Sequence, residues 1–154
     1  MYRILCALAV GLLASAPSLA QQSFVGNYRL ASNEREVDGK PQQMSGPPAH
    51  GYLMIGPKAY VLFFTEGTRK YGDSDAEKAA LWGTMSAYAG SYRVDGHKFV
   101  MLPDTSFNEI SNGTQEVRNW EMKGNRLVLV SDPRPWPRDP SKKIITRFEW
   151  EKIE

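Results

Sequence analysis

Cysteine is almost missing from this chain: one in 154 residues, Cys6, and it lies in an apolar N-terminal stretch. Beyond that stretch there is no thiol, which excludes a disulfide framework, a thiolate nucleophile and a cysteine-rich zinc site. Histidine is nearly as scarce. His50 and His97 each adjoin a glycine in a predicted turn, and the carboxylates are scattered rather than spaced as ligands, so no metal motif is present. No Gly-x-Ser-x-Gly elbow, Walker-type loop or dinucleotide fingerprint occurs, and hydrolase, nucleotide and nicotinamide readings gain no support. No cofactor is implied. A formal net charge of +2 is too small to mark a nucleic-acid binder on charge alone.

The first twenty residues read as a signal peptide. Arg3 supplies a positive start, residues 4–13 form an apolar run, and Ser18-Leu19-Ala20 has the small-x-small pattern that signal peptidase cuts. Cleavage is expected after Ala20, with a periplasmic or secreted destination. The run is shorter than the roughly 20 residues a bilayer requires, and no second one follows, so the mature protein is expected to lack a transmembrane segment. Residues 21–154 have the length of one domain.

Turn signals recur at intervals that suit short strands. Strands are predicted over 26–33, 51–55, 59–64, 89–94, 98–102, 105–110, 114–123, 126–130 and 144–152. Asp38-Gly39, Gly56-Pro57-Lys58, Asp95-Gly96 and Gly124-Asn125 supply tight turns. Met44-Ser45-Gly46-Pro47-Pro48 predicts a loop within 42–49. One helix is predicted over 75–88, capped by Ser74 with Glu77 completing a capping box, carrying a stripe of Leu81, Trp82, Met85 and Tyr88, and ended by Gly90. That stripe places the helix against the sheet, across one barrel mouth. The fold class is therefore all-β: a single eight- to nine-stranded antiparallel barrel with one helix inserted mid-chain. A sheet of that size either fills its interior with side chains or encloses one small ligand, and periodicity alone does not choose.

Four segments carry a family resemblance: residues 24–32 (Phe-Val-Gly-Asn-Tyr-Arg-Leu-Ala-Ser), Gly51-Tyr52-Leu53, residues 88–94 (Tyr-Ala-Gly-Ser-Tyr-Arg-Val), and Val117-Arg118-Asn119-Trp120 with residues 125–129. In this order the chain resembles the bacterial lipocalin-like domain family of small β-barrels. The resemblance implies a lipocalin-like barrel and says little about function. Lipocalins proper place a tryptophan after Gly-x near the start, beneath an arginine from a late strand. Here Tyr28 and Lys152 stand in those places. The strand 98–102 also lacks the histidine common in relatives.

Strand parity puts Arg118, Trp120 and Met122 on one face, Tyr92 with Val94 on another, and Phe148 with Trp150 on a third, all read as inward. An arginine among large apolar residues is costly to bury unless an anion meets it. The sequence is compatible with two arrangements. Arg118 anchors the polar end of a small apolar or amphipathic ligand while Tyr52, Tyr92, Trp120 and Trp150 line its cavity, or Arg118 pairs with an internal glutamate or faces water. Residues 131–143, rich in proline and locally basic, form either a rigid hairpin with Trp136 against the wall or a loop docking a protein partner through Arg134, Trp136 and Arg138. Three functions fit: an exported binding barrel, a cofactor-free isomerase or cyclase acting on a hydrophobic metabolite, and an envelope protein-interaction module.

Overall fold

The structure is a computed structural model that describes residues 24–42, 49–67, 69–136 and 139–154. The signal-like residues 1–20, most of the proline loop (43–48) and Arg138 lie outside the described residues.

The alternation of apolar and polar residues along the chain produces ten antiparallel strands: β1 (Gly26–Val37), β2 (Lys40–Gln42), β3 (His50–Ile55), β4 (Ala59–Thr65), β5 (Met85–Asp95), β6 (Lys98–Ser106), β7 (Glu116–Lys123), β8 (Arg126–Ser131), β9 (Arg134–Trp136) and β10 (Asp139–Lys152). Eight of them, β1, β3–β8 and β10, pair each with its neighbour and close when β1 pairs with β10. The result is a closed eight-stranded barrel, which removes the exposed sheet edges. β2 and β9 are short additions that flank a flared extension of β1 and β10 past the barrel rim.

The chain direction gives the barrel two unlike ends. One carries only short turns, at Gly56–Lys58, Gly96–His97 and Gly124–Asn125, together with Phe24 and the C-terminus. The other carries the long connections, the helix and the flared extension. Asp38-Gly39 turns β1 into β2 with both residues at positive φ, 50° and 76°, the backbone of a tight hairpin that favours glycine.

The helix differs from its sequence-based prediction. Helix α1 spans Asp75–Trp82 and ends at Gly83. Its start is as read, since Glu77 N–H donates to Ser74 Oγ at 3.3 Å and Ser74 N–H to the Glu77 carboxylate at 3.1 Å. Met85 and Tyr88, however, belong to β5, because pairing Thr65–Met85 through Leu62–Tyr88 gives them a full ladder of partners on β4. With half its stripe lost, α1 buries no residue; Trp82 rests on the Phe107 ring at 5.3 Å. Gly90 ends no helix. It sits in β5 where a Cβ would lie 2.0 Å from the Leu102 carbonyl oxygen, so it permits close approach of β6 at an irregularity in the register. The strand predicted over 105–110 is also replaced, by the end of β6 and a single 3-10 turn at Glu109–Ser111.

Candidate functional site

The inward faces sort into two zones. Toward the short-turn end, Phe24, Tyr28, Leu30, Leu53, Ile55, Tyr92, Phe99, Met101, Leu127, Leu129 and Trp150 form one continuous core. Phe24 acts as its stopper. Its ring lies 4.7 Å from Trp120 edge-on and 5.5 Å from Phe99, and its carbonyl accepts the Tyr28 hydroxyl at 2.8 Å. Tyr92 stacks on Phe99 at 5.0 Å and donates to the Gly56 carbonyl at 2.9 Å; Trp120 Nε1 donates to the Gly96 carbonyl at 2.9 Å. Lys152 Nζ donates to the Val25 carbonyl at 2.9 Å, so Tyr28 and Lys152, register partners across β1 and β10, tie down the N-terminal segment together. This end is filled.

Above that core the other end keeps space. A recess of about 260 Å3 is lined by residues that include Arg35, Phe64, Ser86, Tyr88, Phe107, Glu116, Arg118, Arg134, Thr146 and Phe148. It borders a second hollow of about 200 Å3 under the flared extension, where Glu66, Thr84 and Trp136 join the lining. A wider recess of about 820 Å3 follows the β1–β2–β10 extension. Its lining alternates Glu34 and Glu36 with Arg35 and Arg147, and it lies along the extension rather than within the barrel.

Arg118 marks the boundary between the zones. It is 7% exposed, its Nη2 meets the Glu116 carboxylate at 2.9 Å, and its Nη1 donates to the Val117 carbonyl at 3.0 Å. The internal glutamate left open by the sequence is thus present, two residues earlier on the same face of β7. Phe64 and Phe148 contribute a ring pair at 5.2 Å. Burial pushes the Tyr88 hydroxyl above its ordinary pKa against the opposing pull of Arg118 and Arg134, with Glu116 adding to the rise. Burial likewise raises Tyr60, reinforced by Tyr88, Glu116 and Asp104 and opposed by Arg118. Both phenols therefore keep their protons at neutral pH. Tyr60 OH and Thr146 Oγ1 are buried and have no hydrogen-bond partner among the described residues.

Of the five predicted lining residues, only Arg118 borders the recess. Tyr92, Trp120 and Trp150 belong to the filled end. Tyr52 points outward, 48% exposed, with the Arg29 guanidinium 5.9 Å from its ring centroid. The reason is parity: Leu53 and Ile55 take the inward positions on β3. Tyr52 and Met54 join Val61 and Phe63 of β4 in an exposed apolar strip on the barrel wall. Arg134 and Trp136, which the sequence left between a rigid hairpin against the wall and a docking loop, lie on β9 and line the recesses, and Lys142 Nζ sits 6.0 Å from the Trp136 ring. His50 is exposed at the start of β3, and His97 occupies a turn beside Trp120.

Sequence reading missed Arg35, Tyr88, Glu116 and Thr146. Glu116 and Thr146 were within reach, since each shares strand parity with a residue already read as inward, Arg118 and Phe148. Arg35 was not, because a bulge between Leu30 and Ser32 resets the parity of β1.

Among the described residues no group of three or more His, Cys, Asp or Glu is placed to hold a metal ion, and no helix is long and apolar enough to cross a membrane. What the recess offers is a set of hydrogen-bond donors above an aromatic floor, with one carboxylate already held by Arg118. Compared with protein-family models, with curated proteins and with solved structures, the chain matches none.

Proposed function

We propose that this protein is an exported, lipocalin-like barrel that holds one small amphipathic molecule in the open half of its interior. The observation that carries this reading is the asymmetry of the barrel: one end is plugged by Phe24 and its aromatic neighbours, while the other keeps a recess of about 260 Å3 walled by phenylalanines and arginines. Concave, mainly apolar sites with a few convergent polar groups suit small-molecule binding. The signal-like residues 1–20 support a destination outside the cytoplasm.

Native mass spectrometry on protein purified from the cell envelope tests the proposal. The wild type is expected to carry an adduct of constant mass that denaturation releases. Ser86→Trp, which fills the recess from β5, is expected to fold with an unchanged circular dichroism spectrum and to carry none. A wild type that is always bare, and that takes up nothing from a panel of small amphipathic molecules, overturns the reading.

A cofactor-free isomerase or cyclase is a second reading, resting on Glu116, the one carboxylate among the described residues lining the recess. Turnover of the captured molecule that disappears in Glu116→Gln while binding persists favours it.

A further inference from the structure

Building on the reading that the open recess holds a ligand, we infer that the ligand is an anion: a small molecule whose carboxylate or phosphate oxygens face Arg118 and Arg134 and accept a hydrogen bond from the Thr146 hydroxyl.

Charge is the first ground. Arg118 and Arg134 both line the recess against the single carboxylate of Glu116, and Arg35 lines it as well. Glu116 is engaged by Arg118 at 2.9 Å, so even with Arg35 set aside the lining keeps an excess of positive charge. That excess rests on Arg134, at the exposed mouth of the recess, and favours an incoming anion there. Both arginines line the same recess as Tyr88 and Thr146.

Hydrogen-bond chemistry is the second, and it is independent of the first. Thr146 is 6% exposed, its N–H donates to Ser131 Oγ at 2.9 Å, and its own hydroxyl has no partner among the described residues although the residue lines the recess. Buried hydroxyls are almost always satisfied, so one left over beside a cavity points to a group that arrives from outside. Guanidinium groups only donate, and a threonine hydroxyl that serves a bound anion also donates. A carboxylate or phosphate, rich in acceptors, complements such a set, and charge-assisted bonds to it are the strong kind. An amine is repelled, and a neutral alcohol accepts at most two hydrogen bonds and brings no charge to the guanidiniums.

Size limits the remainder. About 260 Å3 lies below the roughly 300–1,000 Å3 of pockets that take drug-sized ligands. The fit is a short chain or a single ring with one acidic head, the apolar part lying on Phe64 and Phe148.

Isothermal titration of the ligand-stripped protein with octanoate, octyl phosphate, 1-octanol and octylamine separates the outcomes, because the four share one chain. Octanoate or octyl phosphate is expected to bind at least tenfold more tightly than octanol, and octylamine most weakly. The better of the two acids identifies the oxyanion. Raising the salt concentration is expected to narrow the acid-to-alcohol ratio. Arg134→Gln, at an exposed position that leaves the core intact, is expected to cut acid affinity several-fold with octanol unchanged, and Thr146→Val to act in the same direction. Equal binding of acid and alcohol, or preference for the amine, overturns the anion inference while leaving the ligand-binding reading in place. No binding by any of the four overturns both.

Discussion

The same eight strands build two halves that handle polar groups in opposite ways. In the plugged half, Tyr28, Tyr92 and Trp120 each send a hydroxyl or N–H to a main-chain carbonyl at 2.8–2.9 Å, and rings interlock around Phe24. In the open half, Thr146 holds a buried hydroxyl without a partner among the described residues, and arginines line an unfilled space. Trp150 and Tyr60 are exceptions to this division, buried core rings whose Nε1 and hydroxyl have no partner among the described residues. The contrast teaches that closure of a barrel sets no interior chemistry. One half spends its polar atoms on itself, and the other keeps donors in reserve.

The largest effect is expected from Phe99→Ala. Phe99 is fully buried between Phe24 and Tyr92, and its truncation is expected to cost about 3–5 kcal/mol in urea denaturation. Retained ligand binding below the new midpoint shows that the halves are independent; binding lost in step breaks the division. Next is Gly90→Ala, between the zones, where the new Cβ meets backbone rather than a movable side chain; about 1–3 kcal/mol is expected. A paired substitution sharpens the comparison further. Tyr28→Phe deletes a satisfied hydroxyl and is expected to destabilise by about 1 kcal/mol, whereas Tyr60→Phe removes an unsatisfied one and is expected to be neutral or stabilising. Equal costs from thermal denaturation contradict the picture.

The smallest effect at neutral pH concerns alkali. Burial raises the pKa of Tyr28, Tyr60 and Tyr88 above the ordinary value of 10.0. The unfolded chain therefore releases these protons first, so their contribution is fully present below pH 10 and declines as pH rises toward the folded values. Tyrosinate absorbance at 295 nm is expected to lag behind that of free tyrosine until the barrel unfolds, and Tyr60→Phe to shift that unfolding to higher pH.

Much of the barrel was legible because its devices are local. Asp38-Gly39, Gly96 and Gly124 carry the positive φ of tight turns, and Arg118 with Trp120, Leu127 with Leu129, and Phe148 with Trp150 fall at every second position of β7, β8 and β10 in regular register. What failed was decided by distant partners. Leu81, Trp82, Met85 and Tyr88 match a helical stripe, yet Ser86, Tyr88, Gly90 and Tyr92 also match a strand, and the ladder to β4 settles the competition. In the site, Arg118 was legible because a charge among apolar neighbours is conspicuous in one strand. The rest of the recess assembles from β1, β4, β5, β7, β9 and β10, and a bulge turns Arg35 inward. Aromatic rings misled, because the largest ones fill the plug.

The seam between the first and last barrel strands has a consequence for biogenesis. Asn27 Nδ2 meets the Glu154 carboxylate at 3.0 Å across 127 residues of sequence, and β10 supplies one side of the join along most of its length. A nascent polypeptide cannot shut this ring until β10 has left the ribosome, and pairings so remote slow the search for the native state. Premature termination before Ile144 strands two raw borders, those of β1 and β8, with their amides unquenched, so shortened products are destined for self-association rather than for a smaller working barrel.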